Sequence, residues 1–121
     1  MESKKTLIIG ASTKRMRYSN MAIRRLLEHG HSVIGIGKSG GNVMGVEVRG
    51  EKEYHDYIDT VSLYINSSIQ PEYYDYIVRL NPKRVIFNPG TENSEFYEIL
   101  KENDINVEVA CTLVLLRSNQ Y

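Results

Sequence analysis

The chain alternates short, continuous apolar runs with longer stretches whose apolar residues recur at helical spacing. That alternation is the signature of a parallel β-sheet covered by α-helices. Thr6 to Gly10 reads as a first strand, apolar throughout and so buried on both faces. A polar loop, Ala11 to Tyr18, leads to a helix that Ser19 or Asn20 would cap. Met21, Ala22, Ile23, Leu26 and Leu27 form its apolar face, and Gly30 is its stop. Ser32 to Ile36 is a second strand. Gly37 to Gly50 holds five glycines, too many for regular structure throughout, with Val46–Val48 as a short extended piece. Glu51 to Asp59 suits a short helical turn.

The later chain repeats the pattern. Val61 to Asn66, Arg84 to Asn88 and Asn106 to Ala110 read as a third, fourth and fifth strand, the last polar enough to be an edge. Helices are expected over Pro71–Leu80, Ser94–Asn103 and Thr112–Arg117. Residues 1–121 therefore predict one α/β domain. Its expected form is a Rossmann-like, doubly wound, parallel five-stranded sheet of order 3-2-1-4-5, with helices on both faces.

Composition narrows the function. Fifteen Lys and Arg balance 15 Asp and Glu, which argues against bulk nucleic-acid binding but leaves room for one cationic pocket. No apolar run approaches the roughly 18 residues of a membrane span. Met1-Glu2-Ser3-Lys4-Lys5 leads straight into the first strand, which predicts no signal peptide. One cysteine, Cys111, permits no internal disulfide and fits a cytoplasmic location. His29, His31 and His55 have no metal-ligand spacing. His29 and His31 read as surface groups, and His55 beside Asp56 as a loop pair rather than a catalytic base with its acid.

Ligands of such sheets bind beyond the carboxyl ends of the strands, where strand order reverses. In the expected order that point lies between the first and fourth strands. Gly10, Ala11 and Ser12 would bring backbone N–H groups close to a phosphate, helped by the helix dipole and by Ser19. Lys14 and Arg17 add cations to the same loop, with Arg15 between them. Tyr18 either stacks on an adenine or packs at the surface. A dinucleotide fingerprint places an acid after the second strand, whereas this chain has Lys38. Lys38 either attracts a phosphorylated ribose or is a solvated surface lysine. The first reading favours a phosphorylated adenosine, meaning coenzyme A or NADP. Asn66, with Ser67 and Ser68, and the turn Pro89-Gly90-Thr91 complete the expected rim, with adenine near Pro89 and Gly90.

Several of these segments carry a family resemblance. Gly10-Ala11-Ser12, Tyr18-Ser19-Asn20, Lys38, Val61-Ser62-Leu63-Tyr64-Ile65-Asn66, Asn88-Pro89-Gly90-Thr91-Glu92-Asn93 and Ala110-Cys111-Thr112 together resemble the small stand-alone CoA-binding domain proteins. These are similar to the N-terminal CoA-binding domain of succinyl-CoA synthetase. The resemblance implies coenzyme A as the ligand, cradled by the first loop. It does not imply synthetase activity, because the chain has no second domain, phosphohistidine loop or ATP-binding module. The expected function is a non-catalytic CoA-binding module with an unknown protein partner. Two alternatives stay open: an NADP-dependent or acyl-CoA-handling enzyme, and a redox sensor exchanging disulfides between CoA and Cys111. Against the last, a lone cysteine between Ala110 and Leu113 also reads as a small core residue.

Overall fold

A computed structural model describes residues 3–121; Met1 and Glu2, the start of the segment read as leading into the first strand, lie outside them. Seven strands form one sheet: β1 (Thr6–Ile9), β2 (Val33–Ile36), β3 (Gly41–Val43), β4 (Val46–Arg49), β5 (Thr60–Leu63), β6 (Arg84–Phe87) and β7 (Asn106–Val109). Their order is β3-β4-β2-β1-β5-β6-β7, and only β3 runs antiparallel to its neighbour. The α/β class holds. The expected five strands and the order 3-2-1-4-5 do not.

Two physical causes account for the difference. The glycine-rich stretch is regular after all: Met44 (φ 49°) and Gly45 (φ 92°) make a two-residue turn that pairs Val43 with Val46. Positive φ at both positions is the turn geometry that matches strand twist. The resulting hairpin places β4 on the outer edge of β2. The slot expected for the third strand is thereby filled, and that strand, β5, pairs with the other side of β1. Nor does Glu51–Asp59 form a helical turn; its residues run irregularly, with Tyr57 at φ 61°.

Helices α1 (Tyr18–Glu28), α2 (Tyr74–Leu80), α3 (Ser94–Glu102) and α4 (Thr112–Arg117) cover both faces. Alternation along the strands sorts the core between them. Leu7 and Ile9 face Ile77, Phe96 and Leu100 of α2 and α3, whereas Ile8 faces Ala22, Ile23 and Leu26 of α1. Val46 and Val48 of β4 face the α1 side, leaving Glu47 and Arg49 exposed. A 3-10 turn over Gln70–Tyr73 precedes α2, so the expected helix from Pro71 is true α-helix only from Tyr74.

Helix α1 ends as expected. Gly30 (φ 84°) donates to Leu27 O and His31 N to Leu26 O, which satisfies the last carbonyls. Its start differs. Arg17 is the cap residue, with no side-chain cap, and Ser19 and Asn20 are buried inside the first turn. His31 is likewise buried, not on the surface: its Nδ1 accepts from Lys4 N at 2.9 Å and its ring lies 5.0 Å from that of Tyr121.

Candidate functional site

Strand order reverses at β1, between β2 on one side and β5 on the other. A cavity of about 500 Å³ opens there beyond the carboxyl ends of β1, β2, β4 and β5. It brings together Gly10, Ala11, Ser12, Lys14, Arg17, Lys38 and Asn66 of the expected site. Tyr18, Ser19, Pro89, Gly90 and Thr91 do not line it. The corrected strand order explains the division. β5 intervenes between β1 and β6, so the turn after β6 lies one strand further away, and the segment after β5 takes its place. Within the β6 turn Thr91 points inward, its Oγ1 donating to Asn88 O at 2.7 Å. Tyr18 is exposed at the start of α1, and Ser19 is buried in its first turn.

The first loop is built differently from its expected role. Gly10 N and Ala11 N both donate to Ile36 O, at 2.9 and 2.8 Å. Their N–H groups are committed to the β1–β2 junction and are not available to a phosphate. Gly10 is required for another reason: it sits at φ 95°, and a Cβ there would lie 2.9 Å from the Tyr64 carbonyl. Gly37 is tighter still, since its Cβ would fall 2.0 Å from Ala11 O. The two glycines let the loops after β1, β2 and β5 meet in van der Waals contact. Among the described residues no hydrogen bond occupies the N–H of Ser12 or Thr13. Ser12 O accepts from Asn20 Nδ2 at 2.9 Å, and Ser12 Oγ from Lys14 N at 3.1 Å. That pins the loop to the uncapped start of α1, where a helix dipole favours an anion.

The electrostatics of the cavity are one-sided. Lys14, Arg17 and Lys38 make no salt bridge among the described residues. Among the described residues no Asp, Glu, His or Cys lines the cavity. Gly37 and Ser39 also line it, in the loop after the second strand that the sequence places at the rim; the remaining walls, Ile36, Gly50, Tyr64, Ile65, Ile69 and Tyr73, were not foreseen from the sequence. Tyr64 and Ile65 fall in the expected third strand and Tyr73 in the expected second helix; Gly50 follows the short extended piece over Val46–Val48, which is β4. The usable signal was position, because residues just past a parallel strand end form the ligand rim.

Two polar networks hold this rim. Gln70 is fully buried, and its Nε2 donates to Ile65 O at 3.0 Å and Thr91 O at 2.7 Å. Its Oε1 accepts from Asn93 Nδ2 at 2.9 Å. One side chain thus joins the loops after β5 and β6. Beneath them, Asn88 Nδ2 donates to Ser62 Oγ at 2.8 Å and Leu63 O at 2.9 Å, while its Oδ1 accepts from Thr112 N at 2.8 Å. Asn88 and Thr112 are frame residues. Beside them the Tyr64 hydroxyl is buried without a hydrogen-bond partner among the described residues, and burial pushes its pKa up to about 12. Cys111 is half-buried ahead of α4 and does not line the cavity. His55 and Asp56 also lie away from it.

A family model described as a CoA binding domain matches residues 4–117. No curated protein matches the chain. Among solved structures, an uncharacterised protein is 47% identical over the full length of both chains, with a TM-score of 0.97. A hypothetical protein from Pyrococcus horikoshii is 24% identical, with a TM-score of 0.86 over 98% of this chain and 84% of that one. A Thermus thermophilus protein is 23% identical, with the same TM-score over 98% of this chain and 91% of that one.

Proposed function

The chain belongs to the CoA binding domain family, and from that premise we propose that its rim cavity binds coenzyme A on a Rossmann-like frame without catalysing a reaction. The observation that carries this reading is the convergence on one cavity of Lys14, Arg17 and Lys38, three cations without acidic partners among the described residues. A ligand with several phosphates supplies the missing negative charge. The donor set suits the group. Ser12 and Thr13 have uncommitted N–H groups, Asn66 offers an amide, and Ile36, Ile65, Ile69 and the Tyr73 ring give apolar surface for the rest of the molecule. Gly10 and Ala11 shape the floor rather than donate to it.

The character of the lining favours binding over catalysis. Among the described residues the lining has no carboxylate, imidazole or thiol, and a Tyr64 hydroxyl whose pKa is pushed up to about 12 is a poor acid or base near neutral pH. Thermal-shift titration tests the reading. Coenzyme A at about 100 times its Kd should add about 2.7 kcal/mol to stability and raise Tm. No shift at millimolar coenzyme A contradicts binding, and turnover of NADPH with carbonyl compounds or of acyl-CoAs contradicts the non-catalytic part.

A further inference from the structure

Away from the rim cavity, α1 and α4 enclose a second groove of about 580 Å³. Met21, Leu113 and Leu116 make its floor; Arg24, Arg25, His29 and Arg117 make its walls. It shares no residue with the rim cavity. Its charge is as one-sided as its shape. The chain has no acid between residues 3 and 27, and none from residue 109 to 121. Glu28 is therefore the sole carboxylate on either helix, and it is held by Arg25 at 3.3 Å. Arg117 has no ion-pair partner among the described residues. In a molecule with no net charge, this concentration of cations around an apolar floor is local and specific.

We propose that the α1–α4 groove docks an acidic amphipathic helix of a partner protein. Grooves between two helices receive a third helix through its apolar stripe, and Met21 gives the floor an adaptable surface. Carboxylates flanking that stripe would meet Arg24, Arg25 and Arg117. Nucleic acid fits less well, because among the described residues no Tyr or Phe lines the groove for base stacking. A second copy of the chain also fits poorly. Its own acidic stripe, Glu95, Glu98 and Glu102 on α3, lies on the other face of the sheet. Docking that stripe into the groove would join unlike surfaces and would not close into a dimer.

The test is fluorescence anisotropy of the full chain with a fluorescein-labelled peptide. The peptide carries Leu at i, i+3, i+4 and i+7 and Glu elsewhere. A scrambled peptide of the same composition and a labelled oligo-dT serve as controls. The amphipathic peptide should bind, and the scrambled one should bind at least about tenfold more weakly. Arg117→Glu and Arg25→Glu, both at exposed positions, should each weaken binding to a similar degree while circular dichroism stays unchanged. The proposal is overturned by no binding at about 100 μM peptide, or by equal binding of the scrambled peptide or oligo-dT. Unchanged affinity in both variants overturns it too, as does concentration-dependent self-association that Arg117→Glu abolishes.

Discussion

Gly30 and Gly37 separate two things a missing Cβ can do. At Gly30 a Cβ would meet nothing within 4 Å, so the residue is there for its φ of 84°. At Gly37 the φ is ordinary and the obstacle is Ala11 O at 2.0 Å. Gly30→Ala should cost about 1 kcal/mol. Gly37→Ala must move backbone, not a flexible side chain, and should cost about 3 kcal/mol or more; urea midpoints of the two variants give the comparison. His31 carries a different residue-scale prediction. Burial, then the nearby charges of His29, Lys4 and Arg84, hold its imidazole below its ordinary value of 6.5. Its proton is therefore bound more readily in the unfolded chain. Stability should be intact above pH 6.5 and fall as pH drops below it. Urea midpoints from pH 7.5 to 5 should show a steeper decline in the native chain than in His31→Gln, which removes the titrating group. Equal slopes would contradict this account. Neither effect was legible in the sequence: Gly37 was one glycine among five, and His31 followed a helix end that looks exposed.

At the scale of elements, the strands that read clearly were those buried on both faces. Leu7, Ile8 and Ile9, and Val85, Ile86 and Phe87, are apolar without interruption because helices cover both sides. The hairpin β3–β4 escaped because one face of β4 is solvated and because Met44 stands where a turn of this kind usually has Asn or Asp. Met44→Asn should relieve the left-handed strain and stabilise the protein by about 1 kcal/mol, seen as a raised Tm. Missing that hairpin misplaced β5, and the misplaced strand moved the expected site toward Pro89–Thr91. Periodicity reports which face of a strand is buried but not which strand lies beside it. Gln70 shows the same limit. It stands between the expected rim loop and the expected helix from Pro71, yet it is fully buried and holds two loops together. Gln70→Leu would leave the Ile65 and Thr91 carbonyls without their donor. It should cost about 2 kcal/mol, measurable by urea denaturation.

At the scale of the whole molecule, zero net charge conceals a strong separation. Lys14, Arg15 and Arg17 lie in the loop before α1 and Arg24 and Arg25 along it, and α3 on the far face carries Glu95, Glu98 and Glu102. Loop cations were legible as residue types; their convergence with Lys38 and Asn66 was not, because it depends on β2, β1 and β5 being neighbours. Attraction of a polyphosphate ligand to exposed cations is screened by salt, so coenzyme A affinity should fall as ionic strength rises. Lys14→Ala, Arg17→Ala and Lys38→Ala should each weaken it about tenfold, near the 1.4 kcal/mol of one charge-assisted contact. The most direct test is a backbone-amide NMR titration with coenzyme A. Amides of Ser12, Thr13, Lys38 and Asn66 should shift along one saturating curve, with Arg117 and Leu116 unmoved. An unchanged spectrum at millimolar coenzyme A, or shifts centred on Pro89–Thr91 instead, would contradict the cavity between β2, β1 and β5 as the ligand site.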